Sequence, residues 1–232
     1  MYTSDIFEQL ACLETDGPKA AVPEGKSGQV EALYRHLKTD LLCATFSPGE
    51  RLIEERLAER YQASSRTPVR EVLARLKSEG HVSVRGRSFI SPQYTPAYLL
   101  QLYDVRLTLE ELAVRGATRS KDTEGLRHCL SIIAAAQGHG SAIAVNAADG
   151  LFHLKIAEMS GNEVLSDMLA QIHEKVFQTR NLFFAAEAEQ GNVVQEHEFI
   201  LAAVERGIED VAIAEMSHHL TESRQKFNDL MN

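Results

Sequence analysis

Cysteines, long apolar runs and a targeting segment are scarce or absent in this chain of 232 residues. Its three cysteines are far apart and never form a CxxC pair, so neither a disulfide framework nor a cysteine-based zinc site is expected. No apolar run approaches the roughly 20 residues that span a bilayer. The first residues, MYTSDIFEQLACLETDG, contain acidic but no basic side chains, which fits neither a secretory signal nor a transit peptide. We therefore expect a cytoplasmic protein without a membrane partner.

Charge is distributed unevenly along the chain, whose formal net charge is -9. Residues 27–95 contain 11 Lys and Arg against 8 Asp and Glu, whereas residues 96–232 contain 11 against 20. A mildly basic segment is thus joined to an acidic one. This asymmetry indicates a nucleic-acid-binding module attached to a domain with another role.

Changes in composition and pattern divide the chain into three parts. Residues 1–26 end in GPKAAVPEGKSG, a Gly- and Pro-rich stretch, and are expected to form a flexible lead-in. Residues 27–95 combine helical and hairpin patterns, and residues 96–232 contain helical patterns only. We therefore predict a mainly α protein with two domains after the lead-in.

The pattern of residues 27–95 predicts a winged helix-turn-helix domain. Apolar positions indicate one helix over Val30–Leu41 and a second over Ile53–Tyr61. After the connection QASS, Ser65 is placed to cap a third helix, with Pro68 in its first turn and Gly80 as its stop signal. The stretch HVSVRGRSFIS then has the form of a small β-hairpin.

Residues 96–232 are predicted to form an antiparallel bundle of six or seven helices. No alternating run that would indicate a strand is evident, and Gly-containing breaks separate the helical patterns. The predicted spans are 96–119, 123–137, 142–160, 162–184, 190–206 and 208–230.

The third helix is the candidate DNA-reading element. In a helix-turn-helix, the N-terminal residues of the second helix of the motif lie nearest the bases in the major groove. Arg66 and Arg70 are four residues apart and project from one face, and an arginine fork matches O6 and N7 of guanine. Thr67 and the first amides of the helix can bind phosphate. The alternative is a solvated basic face paired with Glu71 and Glu79.

The hairpin strengthens the DNA-binding interpretation. Arg85, Gly86 and Arg87 place two cations and a residue without Cβ at its tip. Such a tip suits insertion along a minor groove.

Four residues in the acidic part form a candidate metal site. Asp149 and His153 share one face of a predicted helix, and His197 and His219 lie on the apolar faces of two others. Buried without partners, these groups would be costly, and one divalent metal ion would satisfy them together. Zinc is the first choice, with nickel, manganese or iron as alternatives. Taken singly, each histidine is also consistent with a hydrogen-bonded core or surface residue.

The N-terminal part of the chain resembles a known protein family. The stretch GERLIEERLAERYQASSRTPVREVLARLKSEGHVSVRGRSFI resembles the N-terminal domain of the GntR family of bacterial transcription regulators. The resemblance implies that Arg51, Arg66 and Arg70 read bases and phosphates and that Gly86 marks the tip of the wing.

The acidic part resembles the all-helical FCD effector domain of the FadR-type branch of that family. The motifs are YDVRLTLEELAVRGA, D…FH..IAEMSGN, EH..I..AV..G and A…M..HL. The resemblance implies a metal set of Asp149, His153, His197 and His219, and a small carboxylate effector at or beside the metal. It also makes Arg106 a candidate carboxylate clamp, although an ion pair with a glutamate four residues on is an equal alternative. Arg180 and Asn162 are further pocket candidates.

We therefore predict a ligand-responsive transcription repressor, without catalytic residues, that binds double-stranded DNA at a palindromic operator as a homodimer. Two other functions compete with it. One is a metal-dependent hydrolytic enzyme with an accessory DNA-binding domain, since an open metal site can activate water. The other is an architectural DNA-binding protein without an effector, which would leave the inward Asp and His residues without a role.

Overall fold

The computed structural model describes residues 2–11, 26–120, 122–183 and 193–231. Within these ranges the chain forms ten helices and one antiparallel sheet of two strands. None of the described helices is both long and apolar enough to cross a membrane. The predicted fold class, a small winged helix-turn-helix followed by a helical bundle, is confirmed.

The elements in chain order are α1 (Tyr2–Ala11), α2 (Lys26–Leu42), α3 (Glu54–Arg60), α4 (Arg66–Ser78), β1 (Ser83–Arg85), β2 (Ser88–Ile90), α5 (Pro96–Ala117), α6 (Glu124–His139), α7 (Ala142–Met159), α8 (Glu163–Phe183), α9 (Val193–Glu205) and α10 (Glu209–Leu230). They belong to two compact units. The first, which we call the winged-helix unit, is Thr15–Tyr94; the second, the effector unit, combines Met1–Glu14 with Thr95–Asn232.

The winged-helix unit is organised around α4. Val69, Val72, Leu73 and Leu76 recur at helical spacing and are buried against apolar residues of α2 and α3. The opposite face of α4 is therefore free to carry polar side chains into solvent. Pro68 lies in the first turn, where its missing N–H removes no intrahelical hydrogen bond.

The wing is a short hairpin held at its base. Ser83 pairs with Ile90 and Arg85 with Ser88, and Gly86 in the turn has a φ of 64°, a conformation that favours glycine. The backbone preceding α3 adds a further bridge, since the Leu52 N–H donates to the Phe89 carbonyl over 2.9 Å. The hairpin thus projects from a supported base.

The effector unit contains seven of the described helices, α1 and α5–α10. The six helices after residue 95 begin and end within three residues of the predicted spans. Every residue from 144 to 154 in α7 is buried, so α7 runs through the interior of the bundle. Polar side chains on this stretch must find partners inside the protein.

The predicted flexible lead-in over residues 1–26 does not hold for residues 2–11. These form α1, whose Ile6, Phe7 and Ala11 are buried and which packs mainly against α7. A ten-residue helix is marginal in water by itself, so docking against the bundle supplies its stability. Residues 12–25 of the predicted lead-in lie outside the described residues.

Candidate functional site

The structure brings the four predicted metal ligands together. Asp149 and His153 lie one turn apart on α7, His197 comes from α9 and His219 from α10. All four are buried, and one ligand atom from each lies within 4.8 Å of the others. Nε2 of His153 is 3.2 Å from Nε2 of His219, and Oδ1 of Asp149 is 3.4 Å from Nε2 of His197. We refer to these four residues as the Asp/His cluster.

Partners on the far side of each imidazole fix which nitrogen faces the centre of the cluster. Nδ1 of His197 donates to the Val193 carbonyl over 2.7 Å, and Nδ1 of His219 donates to the Glu196 carboxylate over 2.6 Å. Nδ1 of His153 contacts the Glu110 carboxylate. Because these acceptors favour an N–H on Nδ1, neutral imidazoles at these three positions direct their Nε2 lone pairs into the cluster.

Electrostatics act differently on the individual ligands. Burial alone would lower the pKa of His153, but the Glu110 and Asp149 carboxylates raise it above its usual value. Burial alone would raise the pKa of Asp149, but Arg180, whose Nη1 is 2.7 Å from Oδ2, and the neighbouring imidazoles hold it well below its usual range. Burial lowers the pKa of His219 to about 4. At neutral pH the cluster therefore offers an ionised carboxylate at Asp149 and a neutral imidazole at His219.

A second buried network, which the sequence motifs did not identify as part of the site, contacts His153 on the Nδ1 side of its ring, away from the centre of the cluster. Nε of Arg106 donates to Glu110 over 2.6 Å, and Nε2 of His173 lies 3.1 Å from the same oxygen. Burial alone would raise the pKa of Glu110, but Arg106 and His153 hold it well below its usual range. Of the two alternatives for Arg106, the structure shows the ion pair with Glu110. His173 was detectable from its helical phase with Leu169 and Val176.

Glu110, His153 and His173 are also close enough to hold an ion. The guanidinium of Arg106 already occupies the Glu110 carboxylate and repels a cation there. We therefore regard this network as the support of the Asp/His cluster.

The two remaining pocket candidates differ in their positions. Arg180 lies inside the effector unit against Asp149, as described above. Asn162, in contrast, is exposed in the turn between α7 and α8, where its Oδ1 accepts from the Leu165 N–H over 3.1 Å. The predicted effector contact of Asn162 is therefore replaced by a helix-capping role.

A surface pocket of about 220 Å³ adjoins the Asp/His cluster. It is lined by residues of α9 and α10 and shares His219 with the cluster; Glu196, which accepts from His219, and Phe199, Glu215 and His218 complete its lining. Drug-sized ligands occupy about 300–1,000 Å³. The pocket thus has room for a small molecule only.

The predicted DNA-contacting residues of α4 are exposed. Ser65 stands at the N-cap position with an extended backbone, but its side chain makes no capping hydrogen bond. Thr67 is exposed in the first turn. The side chains of Arg66 and Arg70 are 65% and 71% exposed and pair with two glutamates of α3, Glu55 at 2.7 Å and Glu54 at 2.9 Å. These partners differ from Glu71 and Glu79, the glutamates considered in the sequence analysis.

The other predicted DNA contacts surround the wing. Nη2 of Arg51 donates to the Ser88 hydroxyl over 2.7 Å, and Nη2 of Arg85 donates to the Gln93 side chain over 2.5 Å. Gly86 and Arg87 are exposed in the hairpin turn. The structure thus places all the predicted DNA-contacting side chains at the surface of the winged-helix unit.

A winged-helix unit with exposed arginines, joined to a helical bundle, is the architecture of a DNA-binding transcription regulator. Comparison with known proteins supports this class. Residues 29–90 match the profile of the bacterial regulatory proteins of the gntR family, and residues 101–222 match the FCD domain. The chain belongs to the GntR family of bacterial transcription regulators and carries an FCD domain.

Relatives and solved structures agree with this assignment. The chain is 30% identical over 174 residues to the regulator McbR of Escherichia coli, covering 72% of this chain and 78% of McbR. It is 30% identical over 199 residues to LutR of Bacillus subtilis, and this match covers 75% of this chain and 90% of LutR. The fold is shared with the E. coli McbR/YncC structure, at a TM-score of 0.71, 24% identity and coverages of 88% and 98%. The fold is also shared with the structure of a GntR regulator from Rhodococcus sp. RHA1. There the TM-score is 0.76 and the identity 19%, over 87% of this chain and 98% of that one.

The same comparisons decide between a regulator and an enzyme. The domains and the named relatives are those of transcription regulators. The chain is accordingly not an enzyme, and the hydrolytic alternative has no support.

Proposed function

We propose that this protein is a metabolite-responsive repressor that binds operator DNA as a homodimer and senses a small carboxylate at a metal ion in the effector unit. The proposal that the protein senses a ligand at a metal ion rests on the close approach of the His153 and His219 rings. Both have Nδ1 directed at a carboxylate and their Nε2 atoms lie 3.2 Å apart, so neutral imidazoles at these positions would bring two lone pairs together. Two lone pairs at this distance repel unless a cation lies between them.

The spacing of the Asp/His cluster fits a divalent metal ion. Metal–nitrogen bonds of about 2.0–2.1 Å place tetrahedral ligands about 3.3–3.4 Å apart. The separations of 3.2 Å between His153 and His219 and 3.4 Å between Asp149 and His197 lie close to this value. Oδ1 of Asp149 is farther from Nε2 of His153 and of His219, at 3.7 and 3.8 Å. The ion would be zinc by preference, or nickel, manganese or iron, and it would act as a Lewis acid toward an effector carboxylate.

Metal content tests the site directly. Purified protein loaded with zinc and dialysed should retain about one ion per chain, measured by mass spectrometry with inductively coupled plasma. His219→Ala should remove most of it. His218→Ala is the matched control, because this neighbouring histidine of α10 is exposed and lies outside the Asp/His cluster. Equal zinc content in both variants would refute the site.

The effector would bind through the metal and its surroundings. Arg106 and Arg180 are both already paired inside the bundle, with Glu110 and Asp149, so open metal positions are the better carboxylate partners. The pocket of about 220 Å³ limits the effector to a small acid. Glu196 and Glu215 in the pocket lining favour acids that also carry a cationic group.

A thermal-shift screen of zinc-loaded protein tests the effector class. Hydroxy acids and sugar acids form one set of compounds, and amino acids form a second. A ligand at 100 times its Kd should stabilise the folded protein by about 2.7 kcal/mol. No shift with either set, in protein shown to contain zinc, would refute a small carboxylate effector.

DNA binding would use α4 and the wing. The pairs of Arg66 with Glu55 and of Arg70 with Glu54 are exposed, and such solvent-screened pairs contribute little to stability. DNA can therefore exchange these partners for bases and phosphates at little cost. Arg51, Arg85 and Arg87 would add phosphate or minor-groove contacts from the base and tip of the wing.

Operator affinity tests these roles. With DNA selected in vitro by the wild-type protein, Arg66→Ala and Arg70→Ala should each lose about 1–3 kcal/mol of discrimination at one base position. Arg119→Ala is the control, since it removes an equally exposed charge from the effector unit. Unchanged selectivity in both α4 variants would show that another element reads the bases.

A homodimer would place two winged helices on two half-sites, with centres about 34–36 Å or a multiple apart. Val105 and Leu112, seven residues apart on α5, are 49% and 48% exposed and offer an apolar contact surface. Leu112→Glu should shift the protein toward monomer in analytical ultracentrifugation. Met168→Glu, at an exposed apolar position of α8, is the matched control. A monomeric wild-type protein would refute the dimer.

A further inference from the structure

The aromatic ring of Phe7 fills a space beside Gly150. Phe7 is fully buried, and a Cβ on Gly150 would lie 2.5 Å from its Cε2 atom. Glycine is a poor residue for a helix interior, and Gly150 lies in the middle of α7. Its presence is explained by the close approach of α1, because no larger residue leaves room for the ring.

The same ring also contacts α8. Its centroid lies 4.9 Å from that of Phe177. Phe177 precedes Arg180 by one helical turn, and Gly150 directly follows Asp149. Phe7 therefore touches α7 and α8 next to the two residues whose side chains pair at 2.7 Å.

We propose that α1 is a working part of the Asp/His cluster and that Phe7 is a positioning residue for it. The ring keeps α7 and α8 at the separation at which Arg180 binds one oxygen of Asp149. The other oxygen is thereby directed at the three imidazoles. This inference rests on the metal site proposed above. It assigns to a helix that precedes the winged-helix unit in the chain a role in the effector unit.

Zinc affinity of the full-length protein, measured by competition with a chromogenic chelator, tests the inference. Phe7→Ala should weaken zinc binding about tenfold, the lower end of the range for residues that orient metal ligands. Phe7→Leu should restore most of the affinity, since it keeps an apolar contact with Gly150. Glu8→Ala, at an exposed position of α1, should leave the affinity unchanged.

A second core substitution separates positioning from general loss of stability. Leu165 is buried in the first turn of α8, about 18 Å along the helix from Phe177. Leu165→Ala should lower the melting temperature without changing zinc affinity. If Phe7→Ala binds zinc as the wild type does, or if both variants weaken zinc equally, the inference is refuted.

The contact between Phe7 and Gly150 can be tested without metal. In chelator-treated protein, Gly150→Ala should lower the melting temperature because the new methyl group meets the ring. The loss should shrink in a Phe7→Ala background, where the space is free. Additive losses would refute the contact, whereas wild-type protein that binds no zinc would refute the proposed function and leave this test standing.

Discussion

Changing Glu110 to glutamine is expected to destabilise the metal-free protein strongly, because the substitution leaves Arg106 charged and without a counter-ion. Glu110 and Arg106 are each 1% exposed, with Nε and Oε1 2.6 Å apart. Removing one partner of a buried pair costs about 3–5 kcal/mol. Whole domains are stable by only about 5–15 kcal/mol, so this loss is large.

Removing both charges should recover most of the stability and separate two roles of Glu110. In Arg106→Met/Glu110→Gln the buried charge is gone, and the amide oxygen can still accept from Nδ1 of His153. Replacing a buried ion pair by groups of similar volume is often nearly neutral. Zinc affinity should nevertheless stay about tenfold or more below wild type, because an amide orients and polarises His153 less than a carboxylate does.

Urea denaturation followed by circular dichroism, together with zinc competition, measures both effects. The control is the exposed pair of Lys155 and Glu158, where Glu158→Gln should cost less than about 1 kcal/mol. A cost for Glu110→Gln as small as that of the control would refute the charge argument. A double variant as unstable as the single one would do the same, and a double variant with wild-type zinc affinity would refute the orienting role.

Three further predictions concern other parts of the molecule. Burial lowers the pKa of His173 to about 4. The neutral imidazole therefore contributes fully to the stability of the metal-free protein above pH 6.5, and this contribution is lost as the pH falls from 6.5 toward 4. Melting temperatures across this range should fall less steeply in His173→Gln. Gly86→Ala should destabilise by about 1 kcal/mol because φ is 64°, whereas Gly138→Ala, in a helix with open space around it, should stabilise by a similar amount in the same urea assay. Arg75→Ala should lower the stability of the winged-helix unit and leave base preference unchanged, since Arg75 pairs with Glu31 and lies 3.6 Å from the Tyr34 ring centroid; a changed base preference in selected DNA would contradict this.

The winged-helix unit was largely readable from sequence because its determinants are local. The proline in the first turn and the apolar stripe from Val69 to Leu76 both act within one helix. Ser65 occupies the predicted N-cap position, although its side chain makes no capping hydrogen bond. Each of them depends on backbone geometry over a few residues. The helices of the effector unit follow from the same short-range periodicity.

The partners of the functional side chains were less predictable. Arg66 and Arg70 pair across elements with Glu55 and Glu54, and not with the glutamates suggested from sequence. Residues 2–11 carry an apolar face, but their helix depends on docking to α7, and the adjoining Gly- and Pro-rich stretch obscured that signal.

The sequence by itself therefore determined the helices, the hairpin, the exposed arginines of α4 and the one-turn spacing of Asp149 and His153. Tertiary structure decided that His197 and His219 meet them, that Glu110 stands behind His153, and that Phe7 lies beside Gly150. The physical reason is the range of the interactions. Periodicity and capping act between residues a few positions apart, whereas the convergence of buried polar groups depends on how several helices pack, over separations of up to 143 residues between Phe7 and Gly150.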